Sequence, residues 1–249
     1  MSNSLLEIID IYKSFDIKEV HKGVSFALSK GERIGLLGAS GTGKSVLLRS
    51  IVGLEFIDQG RILYNGERID NLSEKDYPRI RKSISYSFQS GALFDSMNVF
   101  ENLAFPLFEH TDLSLEEIDA KIHEVLKLIG LEGIQHLLPS DLSGGMQKRV
   151  GMARSMILNP DIILYDEPTA GLDPANTVNV VKVMKKFSNT GVTSIFVTHD
   201  IPAAKEFCDR IIILDKGHVA FDNTIEEFNN SDSPIVRKFL VTEGFENAN

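Results

Sequence analysis

Eight residues join a short apolar segment to a segment with helical character: Gly38-Ala39-Ser40-Gly41-Thr42-Gly43-Lys44-Ser45. The apolar segment before them, Arg33–Leu37, has the length of a buried strand, and residues 43–52, which begin within the loop, predict a helix. A glycine-rich loop in this context lets backbone N–H groups converge on phosphate oxygens, and the following helix directs its positive end at them. The loop therefore predicts a phosphate-binding site at the end of a sheet strand.

The charged residues in and beyond this loop predict hydrolysis of a nucleoside triphosphate. Lys44 is placed to neutralise the β- and γ-phosphates, and Ser45 is placed to ligate Mg²⁺. Asp166 and Glu167 follow the apolar strand at residues 162–165, so they lie at a carboxyl end, where α/β sheets bind ligands. We expect Asp166 to hold Mg²⁺ and Glu167 to polarise the attacking water as general base. Taken alone, this pair of carboxylates could also be a polar strand end.

One histidine is expected at the same sheet edge. His199 follows the strand at residues 193–198, and from there it can hydrogen-bond the γ-phosphate and hold the attacking water. A His-Asp metal pair is the alternative. The other histidines are expected to be structural or exposed: His21, His110, His123, His136 and His218.

The pattern of apolar residues and turns predicts an α/β fold with an all-helical insertion. Strands are predicted at residues 5–12, 20–28, 33–37, 61–64, 84–88, 162–165, 193–198 and 210–214. Helices are predicted at residues 43–52, 99–104, 114–129, 144–158, 175–188 and 234–240. One domain is expected over residues 1–249, with a strand-containing part at about 1–89 and 159–230, a helical subdomain at about 90–158 and a short helical tail at about 231–249.

Composition limits the possible partners. The chain has 249 residues, 43% of them hydrophobic, and a net charge of −9, which argues against general binding to nucleic acid or to an anionic bilayer. A single cysteine, Cys208, excludes an intramolecular disulfide and suits a reducing compartment. The N-terminus does not predict a secretion signal, and no apolar run approaches the roughly 20 residues that span a bilayer. If the protein works at a membrane, we expect another chain to span it.

Six features in this order resemble the ATP-binding cassette (ABC) ATPases: the phosphate loop, Gln89, Leu142-Ser143-Gly144-Gly145, Asp166-Glu167, Ala170-Gly171-Leu172-Asp173 and His199. The resemblance covers essentially the whole chain. It implies a P-loop RecA-like core, an N-terminal antiparallel β subdomain and an inserted all-helical subdomain. It also implies a head-to-tail homodimer that holds two ATP molecules with Mg²⁺, in which the Ser143-Gly144-Gly145 segment of one copy contacts the γ-phosphate held by Lys44 of the other.

The same resemblance implies further roles. Phe15 would stack on adenine, Gln89 would sense Mg²⁺ and the attacking water, and Asp173 would couple the two sites across the interface. For Phe15 the alternative is a core residue, and for Gln89 it is a polar turn. The remaining ATP contacts implied are those of the loop: Gly38, Ser40, Gly41, Thr42 and Gly43.

A finer resemblance concerns the cargo. Residues 89–107, Met146 and residues 232–240 are similar to the ATPases of the Mla and MCE systems, which move phospholipids or related lipids between bacterial membranes. This implies a permease subunit in the membrane, an MCE lipid-binding subunit, in some systems a STAS-domain protein, and a position on the cytoplasmic face of the inner membrane. ATPases for amino-acid and methionine uptake share much of the pattern, so nutrient import stays open.

Two other functions are disfavoured. A soluble ABC protein that binds nucleic acid or ribosomes would carry two cassettes, a coiled-coil insertion or a basic face, and this chain shows none of these signals. A module that binds nucleotide without hydrolysis would not need Glu167 and His199.

An apolar cluster at residues 94–108 indicates a partner surface. We expect Phe94 and Met97 to form part of a groove that receives a helix of the permease. Val99 and Phe105 are expected to pack inside the helical subdomain.

Overall fold

The structure, a computed structural model, describes residues 4–246. Its strands are β1 (Ser4–Phe15), β2 (Lys18–Ser29), β3 (Arg33–Leu37), β4 (Gln59–Tyr64), β5 (Glu67–Arg68), β6 (Ile84–Ser87), β7 (Ile162–Asp166), β8 (Thr193–Val197), β9 (Arg210–Asp215) and β10 (His218–Thr224). Its α-helices are α1 (Lys44–Ile51), α2 (Tyr77–Ser83), α3 (Val99–His110), α4 (Leu115–Ile129), α5 (Gly144–Met156), α6 (Pro174–Ser188), α7 (Ile201–Phe207), α8 (Ile225–Asn229) and α9 (Pro234–Glu246).

The strands form two sheets. An antiparallel sheet has the order β2-β1-β4-β5, and a six-stranded sheet has the order β10-β9-β3-β8-β7-β6, parallel except for β10. Strands β7 and β8 are buried at every position, which explains why both are continuous short runs of mostly apolar residues. Because β3, β7 and β8 run parallel side by side, the residues that follow them meet at one edge of the sheet.

The six-stranded sheet is the middle layer of the core. Successive strand residues point to opposite faces, so Ile34, Leu36 and Ile195 pack with the antiparallel sheet, while Leu37 and Phe196 pack with the helices. The fold is therefore the mixed α/β architecture expected, with the antiparallel sheet, α1 and α2 on one face of the six-stranded sheet and the other helices on the opposite face.

An all-helical insertion separates β6 from β7. It contains α3, α4 and α5, and no strand occurs in the described chain between residues 88 and 161. Ser114 and Glu117 form a capping box at the start of α4, and Gly130, with φ of 68°, ends it. The subdomain limits at residues 90 and 158 stay a prediction.

Several elements differ from the sequence expectations. Helices α2, α7 and α8 and strand β10 were not predicted, because the helices are short and β10 is a largely exposed strand. Helix α3 continues to His110 through Pro106, since Leu103 and Leu107 keep its buried face in the core. Within residues 4–246, no helix combines the length and the apolar character needed to cross a membrane.

Candidate functional site

The phosphate loop lies where β3 ends and α1 begins. Gly43 precedes the helix with φ of 93°, and a Cβ at this position would lie 2.4 Å from Val20 Cγ1. Only glycine fits both that backbone conformation and that packing. The loop therefore brings its backbone against β2 and leaves the start of α1 facing a cleft.

The cleft has a volume of about 330 Å³. Eight of the residues expected in the site line it: Phe15, Ser40, Gly41, Gly43, Lys44, Ser45, Glu167 and His199. Gly38 and Thr42 lie in the same loop, where the Thr42 hydroxyl donates to the Ala39 carbonyl at 2.9 Å. Thus residues from β1, the loop and the ends of β7 and β8 meet at one place.

Lys44 lies inside the loop. Its Nζ donates to the carbonyl oxygens of Gly38 at 2.8 Å and Ala39 at 3.1 Å. Burial lowers the pKa of Lys44, while the carboxylates of Glu167 and Asp166 act to raise it. The ammonium is thus held by two carbonyls of the loop, and the carboxylates of Asp166 and Glu167 act on it electrostatically.

Ser45 and Asp166 form an oxygen-only set that fits Mg²⁺. Ser45 Oγ donates to Asp166 Oδ1 at 2.7 Å, and the Tyr86 hydroxyl donates to Asp166 Oδ2 at 2.5 Å. Mg²⁺ prefers oxygen ligands and takes few from the protein, completing its shell with water and phosphate oxygens. Within residues 4–246 there is no group of three or more His, Cys, Asp or Glu side chains that could hold a metal ion.

Tyr86 is a member of the site that the sequence reasoning missed. It lies on β6, directly beside the strand that carries Asp166, and its ring packs against Phe88 with centroids 4.5 Å apart. Burial, followed by the hydrogen bond to Asp166, raises the pKa of its hydroxyl. The hydroxyl therefore stays protonated and fixes one Asp166 oxygen. The sequence places Tyr86 in the predicted strand at residues 84–88, but it carries no signal that this strand lies beside the one that ends at Asp166.

Glu167 and His199 form a pair at the cleft. His199 Nε2 lies 2.9 Å from Glu167 Oε1, because the two residues follow the adjacent parallel strands β7 and β8. The Glu167 backbone N–H also donates to the Val197 carbonyl at 3.0 Å. Glu167 has φ of 49°, a conformation that costs a non-glycine residue about 1–3 kcal/mol and is concentrated at functional sites.

Phe15 closes one end of the cleft. Its ring is 41% exposed, and the Lys13 ammonium lies 4.6 Å from the ring centroid. An aromatic face available beside a phosphate loop suits a nucleotide base. The alternative of a core phenylalanine does not match this exposure, although adenine stacking stays a prediction.

Gln89 lies outside the lining of this cleft. It is exposed and follows β6. Two residues later, Gly91 packs against α5 so closely that a Cβ on Gly151 would lie 2.6 Å from Gly91 Cα. Arg154 of α5 also donates to the carbonyl of Ala92 at 2.6 Å. The segment after Gln89 is therefore fastened to α5, and its sensing role stays a prediction.

The Leu142–Gly145 segment also lies away from the cleft of its own chain. Ser143 caps α5, with its Oγ accepting from the Met146 N–H at 3.3 Å, and both Ser143 and Gly144 are exposed. An exposed helix start of this kind can bind an anion. Lys148 of the same helix donates to the Ala170 carbonyl. This helix start is thus free to serve a site outside its own chain.

Asp173 caps the next helix. Its Oδ1 accepts from the Asn176 N–H at 3.0 Å, and that hydrogen bond lowers the pKa of the carboxyl. The side chain is exposed, so it is available to a second copy, and its coupling role stays a prediction.

Comparison with a family model matches residues 21–170 to "ABC transporter". The chain is 36% identical over 238 residues to the intermembrane phospholipid transport system ATP-binding protein MlaF of Escherichia coli, covering 95% of this chain and 88% of that protein. It is 40% identical over 236 residues to the probable ribonucleotide transport ATP-binding protein mkl of Mycobacterium leprae, covering 94% and 68%. It is 38% identical over 258 residues to the chloroplastic protein TRIGALACTOSYLDIACYLGLYCEROL 3 of Arabidopsis thaliana, covering 96% and 74%.

Two solved structures are similar in fold. Both are dimeric structures of the cassette MJ0796, one described as a bacterial ABC transporter cassette and the other as a post-hydrolysis state bound to ADP and Pi. Each has a TM-score of 0.82 at 31% identity and covers 88% of this chain and 98% of that one.

Proposed function

This chain belongs to the ABC transporter family as an ATP-hydrolysing subunit, and we propose that it drives the transport of phospholipids or related lipids across or between bacterial membranes. The observation that carries ATP hydrolysis is the cleft in which the phosphate loop, the Ser45–Asp166 pair and the Glu167–His199 pair converge. The cargo rests on the relatives, since the ATPase site itself has no part that would recognise a lipid.

The geometry supports a separate role in hydrolysis for each group of residues in the cleft. Lys44 and the backbone N–H groups of the loop hold the β- and γ-phosphates, and Glu167, oriented by His199, takes a proton from the attacking water. Ser45 and Asp166 would hold Mg²⁺, which supplies neutralising charge on the phosphate oxygens. Tyr86 keeps Asp166 in place.

Two relatives support a lipid cargo. One is named for intermembrane phospholipid transport, and another carries the name of a galactolipid. A specific observation favours a different cargo, because the mkl proteins, at 40% identity, are named for probable ribonucleotide transport. An ATPase that drives transport of a polar solute such as a ribonucleotide is therefore the second candidate, beside the nutrient-importer ATPase that the sequence leaves open.

A homodimer completes the site. Because Ser143 and Gly144 are exposed and do not line the cleft of their own chain, a second copy placed head to tail would bring this helix start to the γ-phosphate. The dimeric MJ0796 structures support such an arrangement. The dimer would then close when ATP binds and open after hydrolysis, and this movement would drive transport.

Replacement of Ser143 by arginine tests the shared site. We expect ATP binding by the monomer to persist and ATPase activity to fall at least about tenfold, because the side chain fills the space for the partner's phosphate. Ser114→Arg is the matched control: Ser114 is also an exposed helix cap that accepts from an N–H at 3.3 Å, so each variant loses a cap. Equal activity in the two variants would contradict the shared site.

We propose that a groove of about 380 Å³ is the binding site of a permease helix. The aromatic rings of Phe94 and Phe105 meet there edge to face with centroids 5.3 Å apart. The cations of Lys82, Arg154 and Arg81 line the groove, and of these Arg81 also pairs with Glu74 at 3.7 Å. The expectation that Phe105 packs inside was wrong: it is 40% exposed, whereas Val99 is buried as expected. Met97 does not line the groove. The occupant would be an apolar helix with acidic residues.

Replacement of Phe105 by aspartate tests this surface. We expect the affinity for the permease to fall by about 30-fold or more, since a central aromatic contact is commonly worth 2 kcal/mol. The isolated chain should keep its ATP affinity. Phe108→Asp is the control, because Phe108 lies on the same helix, is 53% exposed and does not line the groove. Co-purification measures how much permease each of the two variants retains, and equal retention would contradict the assignment of the groove.

Purification from membranes tests the proposed function as a whole. The tagged chain would be isolated from detergent-solubilised membranes of its own source and its partners identified by mass spectrometry. A multi-spanning permease with an MCE subunit, with or without a STAS-domain protein, would support lipid transport at the cytoplasmic face of the inner membrane. A soluble solute-binding protein with the permease would favour nutrient import. Ribosomal or DNA-associated proteins alone would contradict both.

A further inference from the structure

A buried histidine lies directly behind the phosphate loop. His21 is on β2, is 1% exposed, and its Nε2 lies 3.0 Å from the carbonyl oxygen of Gly43. The packing is close, because a Cβ on Gly43 would lie 2.6 Å from that same Nε2. The side chain therefore touches the loop at its last residue before α1.

The contact defines the protonation of the ring. A carbonyl oxygen only accepts hydrogen bonds, so Nε2 carries the hydrogen and donates it. In the neutral ring Nδ1 then has no hydrogen, and it is buried with no hydrogen-bond partner. Burial lowers the pKa of His21, the hydrogen bond to the Gly43 carbonyl partly opposes this, and the charge of Lys13 on β1 lowers the pKa further. The ring is thus neutral at physiological pH, and an imidazolium would bury an unpaired N–H.

The Gly43 carbonyl accepts a second hydrogen bond, from the Leu47 N–H at 2.9 Å, which is part of the first turn of α1. Two donors therefore fix the direction of this carbonyl. In a trans peptide the C=O and the following N–H point in opposite directions, and this chain has no cis peptide among its described residues. The Lys44 N–H consequently points away from α1, into the cleft where phosphate binds.

We propose that His21 is a positioning residue of the phosphate site, which aims the Lys44 backbone N–H at the nucleotide by holding the Gly43–Lys44 peptide plane. It touches neither the nucleotide nor the reacting atoms. The buried Nδ1 has no hydrogen-bond partner and therefore lowers the stability of the fold. The positioning role explains why a histidine is nevertheless present at this position. The inference rests on ATP binding and hydrolysis and is independent of the cargo.

Three substitutions of His21 separate positioning from packing. In His21→Gln the amide nitrogen is the same number of bonds from the backbone as Nε2, so the donor is retained. In His21→Asn the amide nitrogen corresponds to Nδ1 and falls short of Gly43. His21→Leu has no donor but fills the space and removes the unpaired Nδ1. All three are measured in the full-length chain with MgATP, and MgADP binding is measured in parallel.

We expect the KM for MgATP to rise roughly 5- to 10-fold in the Asn and Leu variants, which corresponds to the loss of about one hydrogen bond. The KM of the Gln variant should stay within about twofold of that of the original chain. The effect should fall on KM and not on kcat, because the peptide binds phosphate equally in the ground and transition states. The Leu variant should unfold at a temperature no lower than the original chain. An unchanged KM in His21→Leu, or equal loss in the Gln and Asn variants, would overturn the proposal.

Discussion

Replacing Glu167 by glutamine is expected to lower the rate of ATP hydrolysis about 10²–10⁴-fold, the usual contribution of a general base. Glutamine keeps an oxygen for the 2.9 Å contact with His199 but cannot take a proton from water. ATP binding should be retained, because Glu167 contributes no donor to the phosphates. The variant should therefore accumulate as an ATP-bound dimer, detectable by size-exclusion chromatography with light scattering.

Glu206→Gln is the matched control for this experiment. Glu206 lines a neighbouring cleft together with Glu167 and His199, but its carboxylate pairs with Lys185 at 3.0 Å. Its replacement should leave hydrolysis nearly unchanged. If Glu167→Gln stays monomeric with saturating ATP in the membrane complex, the clamp is contradicted. If it hydrolyses ATP normally, the assignment of the base is contradicted.

Replacing Lys44 by alanine is expected to weaken ATP binding itself, by about 10- to 150-fold in Kd, since hydrogen bonds to charged groups contribute 1.5–3 kcal/mol each. The carbonyl oxygens of Gly38 and Ala39 hold the side chain in one conformation inside the loop. Little rotamer entropy is therefore lost when its ammonium contacts the phosphates. Isothermal titration of the full chain with MgATP measures the change.

Lys18 provides the control for the charge. It lines the rim of the same cleft but is exposed, and exposed charges contribute at most about 1 kcal/mol. Lys18→Ala should therefore change the Kd by less than about fivefold. Equal effects of the two substitutions would show that only the general positive charge of the cleft matters and would remove the specific role of Lys44.

The elements that surround the site were predictable because local signals agree with the packing. Strand β3 begins and ends as expected, and α4 has both a capping box and a terminal glycine. Because β7 and β8 are continuous and apolar, the sequence also indicated that Glu167 and His199 share one edge. Their 2.9 Å contact follows from that parallel pairing.

What the sequence did not reveal depends on contacts between elements. Tyr86 belongs to the site only because β6 pairs with β7. The periodicity of a single segment does not determine which strands are neighbours in a sheet. His21 looked like any structural histidine, since its partner is a backbone carbonyl that carries no sequence signal. Phe105 lies where a helical pattern favours burial, but the groove beside it leaves the ring exposed.

The backbones of Gly91 and Gly151 meet so closely that this point would act as the pivot of any rotation of α5. Gly151 lies seven residues from the start of the helix, which at 1.5 Å per residue is an arm of about 10 Å to Gly144. A turn of about 10° around this pivot would therefore move the helix start by roughly 2 Å, enough to make or break a hydrogen bond to a partner's phosphate. Because Arg154 ties α5 to the carbonyl of Ala92 at the same joint, an angular change in the segment after Gln89 would be passed to α5 and would become a displacement at the far end of the arm.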